Sequence, residues 1–250
     1  MKLLKRTLSA CLALAIGASS AICANAETAK KPGTDGLIVD DGSAYKAYVN
    51  SLSKEDNAKL AKKKAAFARF EKQESKKGDL KVLGATKLTI PGTFTLYHQN
   101  KWYYCAPACV QSVLKYINGS APSQDTIAKG LGTSESAGGT SMSKIAGYLN
   151  DKQSDCWYVL SSNPSQTSMC NAINYTITKE KDPCIMGIVD RYANYWHYAT
   201  YGHAIIANGI MSDKSEIQIS DPDWNKDKGY EPFYMKKSST VSNVCIGVIY

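Results

Sequence analysis

From residue 184 onward the chain alternates short β-rich runs with turns: CIMGIV, HAIIANGIM, EIQISD, YEPFYM and CIGVIY. Each run is strand-length, bounded by turn residues, and rich in the branched and aromatic side chains that fit a pleated surface. The stretch before them carries a different period. In CAPACVQSVLKYING the apolar positions Cys109, Val110, Val113, Leu114 and Ile117 recur at helical spacing, and Asn118-Gly119 is a helix stop. Ser123 opens a second helix, Thr140 or Ser141 a third within GGTSMSKIAGYLN, and CWYVL reads as a strand before a helix within PSQTSMCNAINYTITK. Helices first and strands later predict an α+β domain in two lobes, a helical one and an antiparallel β one, with a cleft where they meet. No internal repeat is present.

The chain ahead of this domain has two parts. Lys2, Lys5 and Arg6 precede an uncharged, mostly apolar run from Leu8 to about Ala21, and Ala24-Asn25-Ala26 supplies a small-x-small pattern. Residues 1–26 therefore read as a signal peptide, and the protein is expected to be secreted or extracytoplasmic. Residues 27–52 read as a linker. Ser53, followed by Glu55 and Asp56, then opens a basic amphipathic helix to about Lys77, so residues 27–82 form an N-terminal extension of the domain at 83–250. The helix is a solvated spacer, a pro-segment lying over the active site, or a basic arm making weak contact with an anionic cell envelope.

Charge placement narrows the partners. Residues 54–87 hold eleven Lys/Arg against five Asp/Glu, whereas residues 88–250 hold thirteen of each. A nucleic-acid binder carries its basic stripe on the folded domain, so nucleic acid is excluded. Beyond Ala26 there are six cysteines, with no CxxC and only three histidines in the chain, which gives no zinc set and no cofactor expectation. Cys156 with Cys170, or Cys184 with Cys245, are the candidate disulfides of an exported protein.

Cys105 stands at the N-terminus of the first helix of the domain. Unpaired N–H groups and the helix dipole favour a thiolate there, and Pro107 in the first turn gives up no hydrogen bond. Cys109, one turn on, reads as packing. Of His98, His197 and His203, the last opens the apolar strand HAIIANGIM, where a rigid element holds a ring at fixed distance. In EIQISDPDW, Ile217, Ile219 and Asp221 share a face, so Asp221 points inward to orient an imidazole, while Asp223 points away. Gln99, six residues before the cysteine, supplies an amide to an oxyanion. The aromatic stretch Tyr192 to Tyr201, with Trp102 and Trp224, is expected to line the cleft, with His197 a rim residue and Trp102, Trp224, His197 and Tyr198 the substrate-binding side chains.

The ordered set Gln99, Cys105, His203, Asp221 resembles the papain-like cysteine peptidases. QNKWYYCAPACVQSVLKY, GGTSMSKIAGYLN, YGHAIIANGI and ISDPDW are most similar to the branch of bacteriocin-leader (double-glycine) peptidases, in a secreted stand-alone form, over roughly residues 90–250. The resemblance implies a papain-like fold, with Cys105 as nucleophile, His203 as base and acid, Asp221 as orienting group and Gln99 as oxyanion donor. It implies a peptide or protein substrate and no metal. Ala106 stands where the family often has glycine, and no transporter segment follows, which separates the double-glycine leader substrate from the chemistry. Two other outcomes keep the same fold: an acyltransferase or amidase on cell-wall peptides, and a non-catalytic envelope-binding protein.

Overall fold

The computed structural model describes residues 36–76, 84–225 and 229–250. The expected signal peptide at 1–26 lies outside them, and no helix among the described residues is long and apolar enough to cross a membrane. The elements run β1 (Gly36–Ile38), α1 (Ser43–Asn50), α2 (Lys54–Lys76), β2 (Lys87–Thr89), α3 (Cys105–Asn118), α4 (Gln124–Leu131), β3 (Gly139–Ser141) and α5 (Ile145–Lys152). They continue with β4 (Leu160–Ser162), α6 (Gln166–Tyr175), β5 (Cys184–Asp190), β6 (Thr200–Met211), β7 (Glu216–Ser220), β8 (Phe233–Lys237), α7 (Ser238–Val244) and β9 (Cys245–Ile249).

Seven strands form one antiparallel sheet in the order β4-β9-β5-β6-β7-β8, with β2 added along the far half of β6. Side chains of a strand alternate between its two faces, and both faces of this sheet are covered. Ile185, Ala204, Ile206 and Ile249 pack on one side against Val110, Val113 and Leu114 of α3 and Ile145 and Leu149 of α5. Met186, Ile188, Ile205 and Ala207 pack on the other side against Met169 and Ile173 of α6 and Val241 of α7. Burial on both faces explains why β5 and β6 are continuous apolar runs rather than alternating ones. Each fully buried Ile or Leu here contributes about 1.5–3 kcal/mol.

The helix ends follow local chemistry. Ser123 caps α4 by accepting the N–H of Thr126, as its position predicts, and Gly119 closes α3 in the left-handed region at φ 72°. Three expectations are corrected. The helix placed at Thr140 or Ser141 starts later, because Gly139–Ser141 pairs as β3 and residues Met142–Lys144 form a 3-10 turn before α5. The strand expected at CWYVL begins only at its last residue, as Leu160–Ser162, and Tyr158 ahead of it gives its N–H to Asn150 Oδ1 at 2.8 Å. Within the expected linker, the described residues from 36 on are structured: Gly36–Ile38 pairs in parallel with β3, and α1 packs Tyr48 over Gly147 of α5.

Helix α2 is less solvated than its lysines suggest. Its thin stripe, Leu60, Lys63 and Phe70, is buried, with Phe67 and Phe70 edge-on to Tyr175. Lys63 reaches inward to pair with Glu180 and lies over the rings of Tyr175 and Tyr250. Lys63→Ala leaves the Glu180 carboxylate buried without its cation, and is expected to lower the unfolding free energy by about 3–5 kcal/mol in urea denaturation.

All six described cysteines are thiols. Cys184 faces Ala207 on β6 while Cys245 of β9 faces Ile188 of β5, so the two are offset by four positions along neighbouring strands. At roughly 3.3 Å per residue that exceeds the reach of a disulfide, about 7 Å between Cα atoms. Cys156 sits beside Asp182, whereas Cys170 sits beside Lys214, so they do not meet either.

Candidate active site

The N-terminus of α3 faces β6. Cys105 is the first residue of the helix, and Tyr104 before it has no capping side chain, so the helix end offers its N–H groups to the sulfur. His203 lies on β6 opposite Ile188 and hydrogen bonds with the Cys105 sulfur. Its Nε2 meets Asp221 Oδ1 at 2.8 Å, which leaves Nδ1 for the thiol. Asp221 follows the end of β7, paired through Ser220 with Ile206 three residues beyond His203. Cysteine, imidazole and carboxylate from three distant segments thus form one chain of contacts.

The carboxylate is heavily determined. Oδ2 of Asp221 accepts from the hydroxyls of Tyr198 at 2.6 Å and Tyr234 at 3.1 Å, and Oδ1 accepts the N–H of Asp223 at 3.0 Å. Burial alone opposes the charge of Asp221, but His203 and these donors overcome it and hold its carboxyl below the usual range. Burial likewise opposes a charged His203, yet the Asp221 carboxylate and then the Cys105 sulfur hold the imidazole well above its ordinary value. A group raised in this way keeps its charge and its stabilising contact below its ordinary pKa and loses them as pH climbs through the raised value.

Gln99 sits on the loop leading to α3. Its N–H donates to the Pro222 carbonyl at 2.9 Å, which ties the loop to the turn carrying Asp221. The side chain is buried, with Nε2 donating to the Trp102 carbonyl at 3.3 Å and Oε1 without a partner. Gln124, buried at the start of α4, fixes the same loop by accepting the Asn100 N–H at 2.9 Å and donating to the His98 carbonyl at 2.8 Å.

The other expected site residues are placed as follows. Trp102 is exposed near the loop, its Nε1 donating to Glu135 at 3.3 Å. Trp224 sits past Asp221, edge-on to His98, whose Nε2 bonds the Trp224 carbonyl at 3.1 Å. His98 is thus occupied away from the thiol. His197 stacks on Trp196 and packs against Tyr198, Tyr230 and Tyr234, with burial depressing its pKa. The Tyr198 hydroxyl donates to Asp221 and its ring packs edge-on against His203, which places it beside the imidazole. Cys109 is buried and donates to the Ala204 carbonyl at 3.4 Å, the packing position its spacing indicates. Among the described residues no three metal-ligating side chains converge.

Tyr234, Gln124 and Asp190 carry no local signal in the sequence. Asp190 accepts the N–H groups of Asn194, Tyr195 and Trp196 at 3.1, 2.7 and 2.7 Å, which shapes the turn that delivers Tyr198 to Asp221. The AspArg-Tyr-Ala-Asn spacing around it is a turn signal at most.

A family model, the Peptidase C39 like family, matches residues 92–242, the span that contains Gln99, Cys105, His203 and Asp221. The chain belongs to this family. It is a cysteine-type peptidase of the C39 type, with the papain-like α+β fold in which a helix-borne thiol meets a sheet-borne imidazole. Solved structures similar to this C39-type peptidase include the peptidase domain of Streptococcus ComA, a bi-functional ABC transporter involved in a quorum-sensing pathway. That likeness has 18% identity and a TM-score of 0.45, covering 63% of this chain and 96% of that one. Xylellain, a cysteine protease from Xylella fastidiosa, is similar at 11% identity and a TM-score of 0.44, over 65% of this chain and 84% of that one. No curated protein matches the sequence.

Proposed function

We propose that this C39-type peptidase is exported and hydrolyses peptide or isopeptide bonds through Cys105, His203 and Asp221, with Gln99 assisting. The observation that carries the reading is the unbroken line of contacts from Asp221 through His203 to a cysteine at a helix N-terminus. The Cys105 thiolate adds to the carbonyl carbon, and the oxygen takes the negative charge between the Cys105 N–H and Gln99 Nε2. His203 gives its proton to the leaving amine as the C–N bond breaks, leaving a thioester. It then takes a proton from water as the hydroxyl adds, and the acid departs while the thiol is restored. Export is supported by the basic start, apolar run and Ala24-Asn25-Ala26 pattern of residues 1–26. Contact with an anionic envelope is supported by the exposed lysines of α2, among them Lys54, Lys62, Lys64 and Lys72.

Modification of Cys105 by a thiol-directed epoxide is expected to abolish peptide hydrolysis in step with adduct formation, followed by mass spectrometry. Hydrolysis that survives complete modification of Cys105 overturns the mechanism, and amide products formed with added amines would indicate transfer rather than hydrolysis. Gln99→Ala is expected to lower kcat by on the order of 10²–10³ with a smaller change in KM, because an oxyanion donor acts in the transition state.

A further inference from the structure

Strand β1 does not decorate the surface; it runs through the place where a substrate must lie. Cys105 has no exposed surface and His203 is 2% exposed, although a peptidase nucleophile has to meet a peptide. What covers them is Gly36–Ile38. A Cβ on Gly36 would stand 2.9 Å from Cys105 Sγ and 3.0 Å from Tyr103 Cα, so only glycine passes the thiol this closely. On one wall, a Cβ on Gly139 of β3 would lie 2.1 Å from the Gly36 carbonyl oxygen. On the other, a Cβ on Gly202, beside His203, would lie 2.0 Å from the Leu37 carbonyl oxygen. Two glycines on opposite elements thus leave a slot as wide as a peptide backbone, and an extended backbone fills it.

The side chain between them is equally well received. Leu37 is 1% exposed and enters a pocket formed by Met142, Gly187 and Ile246, where a Cβ on Gly187 would lie 2.8 Å from Leu37 Cδ2. The missing side chain at Gly187 is the space that Leu37 uses. Beyond the slot, Asp40 Oδ2 accepts from the hydroxyls of Ser141 and Ser143, the latter at 2.9 Å, and from the Ser143 N–H at 3.3 Å. This carboxylate fastens the segment to the end of β3. The occupant is not held as a substrate would be, since Gln99 directs Nε2 to the Trp102 carbonyl and the Gly36 carbonyl is turned to Gly139.

We propose that Gly36–Ile38 is a built-in inhibitor seated in the substrate cleft, and that the Leu37 pocket is the subsite that selects an aliphatic side chain of the peptide substrate. The inference rests on the peptidase reading above. The segment mimics an extended peptide with a medium-sized aliphatic residue next to the reacting bond, and competes with one by occupying the same slot. Its release exposes the thiol. The connection to α1 supports such release, because Val39 is 53% exposed and Asp40 and Asp41 are exposed as well.

The test uses the full chain. Leu37→Ser removes the pocket anchor and Asp40→Ala removes the exposed clamp; the rate of Cys105 alkylation by iodoacetamide is followed by peptide mapping, and folding by far-UV circular dichroism. Alkylation is expected to quicken roughly tenfold to a hundredfold in the double variant, the factor set by losing the burial of one leucine. That variant is also expected to cleave peptides carrying Leu, Ile or Met at one position far faster than peptides carrying Asp there. In the same background, Gly187→Ala, which shallows the pocket, is expected to shift the preference toward Val and Ala. An alkylation rate unchanged from the parent in both Asp40→Ala and the folded double variant overturns the inhibitor, and a cleavage pattern indifferent to that position overturns the subsite. Faster alkylation without any hydrolysis leaves the inhibitor standing and places the failure with the peptide-hydrolysis mechanism.

Discussion

Cys105→Ala is expected to abolish hydrolysis, with kcat/KM falling by about 10⁴ or more against a peptide substrate, equivalent to over 5 kcal/mol of transition-state stabilisation. The substitution removes the atom that forms the thioester while keeping the helix, because Cys105 heads α3 without capping it through its side chain. Its measurement is made in the Leu37→Ser, Asp40→Ala background, so that access to the cleft does not limit the parent rate. Because the sulfur also helps to hold the imidazole charged, the His203 titration, followed by the NMR shift of its ring protons, should move to lower pH in the same variant. A Cys105→Ala protein that retains more than a few per cent of the rate would rule out covalent catalysis at this position.

Asp221→Ala should be nearly as severe, lowering kcat by about 10³–10⁴, since the carboxylate both fixes the ring and stabilises its cation. Three donors besides His203 converge on this side chain: Tyr198, Tyr234 and the Asp223 N–H. Their loss of an acceptor in a buried site also costs stability, by about 1–3 kcal/mol for each group left unsatisfied. The sign on pH follows from the same contacts. Asp221 raises the His203 pKa, so its removal lowers it, and the alkaline limb of the kcat/KM profile moves toward neutral pH. Asp221→Asn removes the charge and also puts an NH2 donor in place of one of the two acceptor oxygens that serve Nε2–H and the Tyr198 and Tyr234 hydroxyls, so its kcat is expected to fall about as far as that of Asp221→Ala. An alkaline limb that does not move in Asp221→Ala would show that the imidazole is not held by this carboxylate.

Much of the domain is legible in the order of its residues. The period-two face of EIQISD placed Asp221 among buried side chains, and Ile217, Ile219 and Asp221 are all essentially unexposed. Helical spacing after Cys105 and the glycine at 119 bounded α3 as observed. Among three histidines, the one opening a rigid apolar strand is the one that meets the thiol. These readings succeed because each depends on a period or a cap contained within a few residues. The contact of Tyr198 with Asp221 is not legible, for the opposite reason. A tyrosine in an aromatic turn looks the same whether it faces solvent or donates to a carboxylate 23 residues away, and only the Asp190 turn decides which.

The sequence by itself determined the α+β class, the strand-rich second half, and the order in which a sulfur, an imidazole, a carboxylate and an amide stand along the chain. It could do so because patterning and functional-group identity are properties of neighbouring residues. Only the tertiary structure decided that Gly36–Ile38 lies across Cys105, that the thiols at 184 and 245 stand apart, and that two tyrosines converge on Asp221. Those facts arise from pairings between residues tens to more than a hundred positions apart, such as Gly36 with Gly139, where no local period exists to announce the partner.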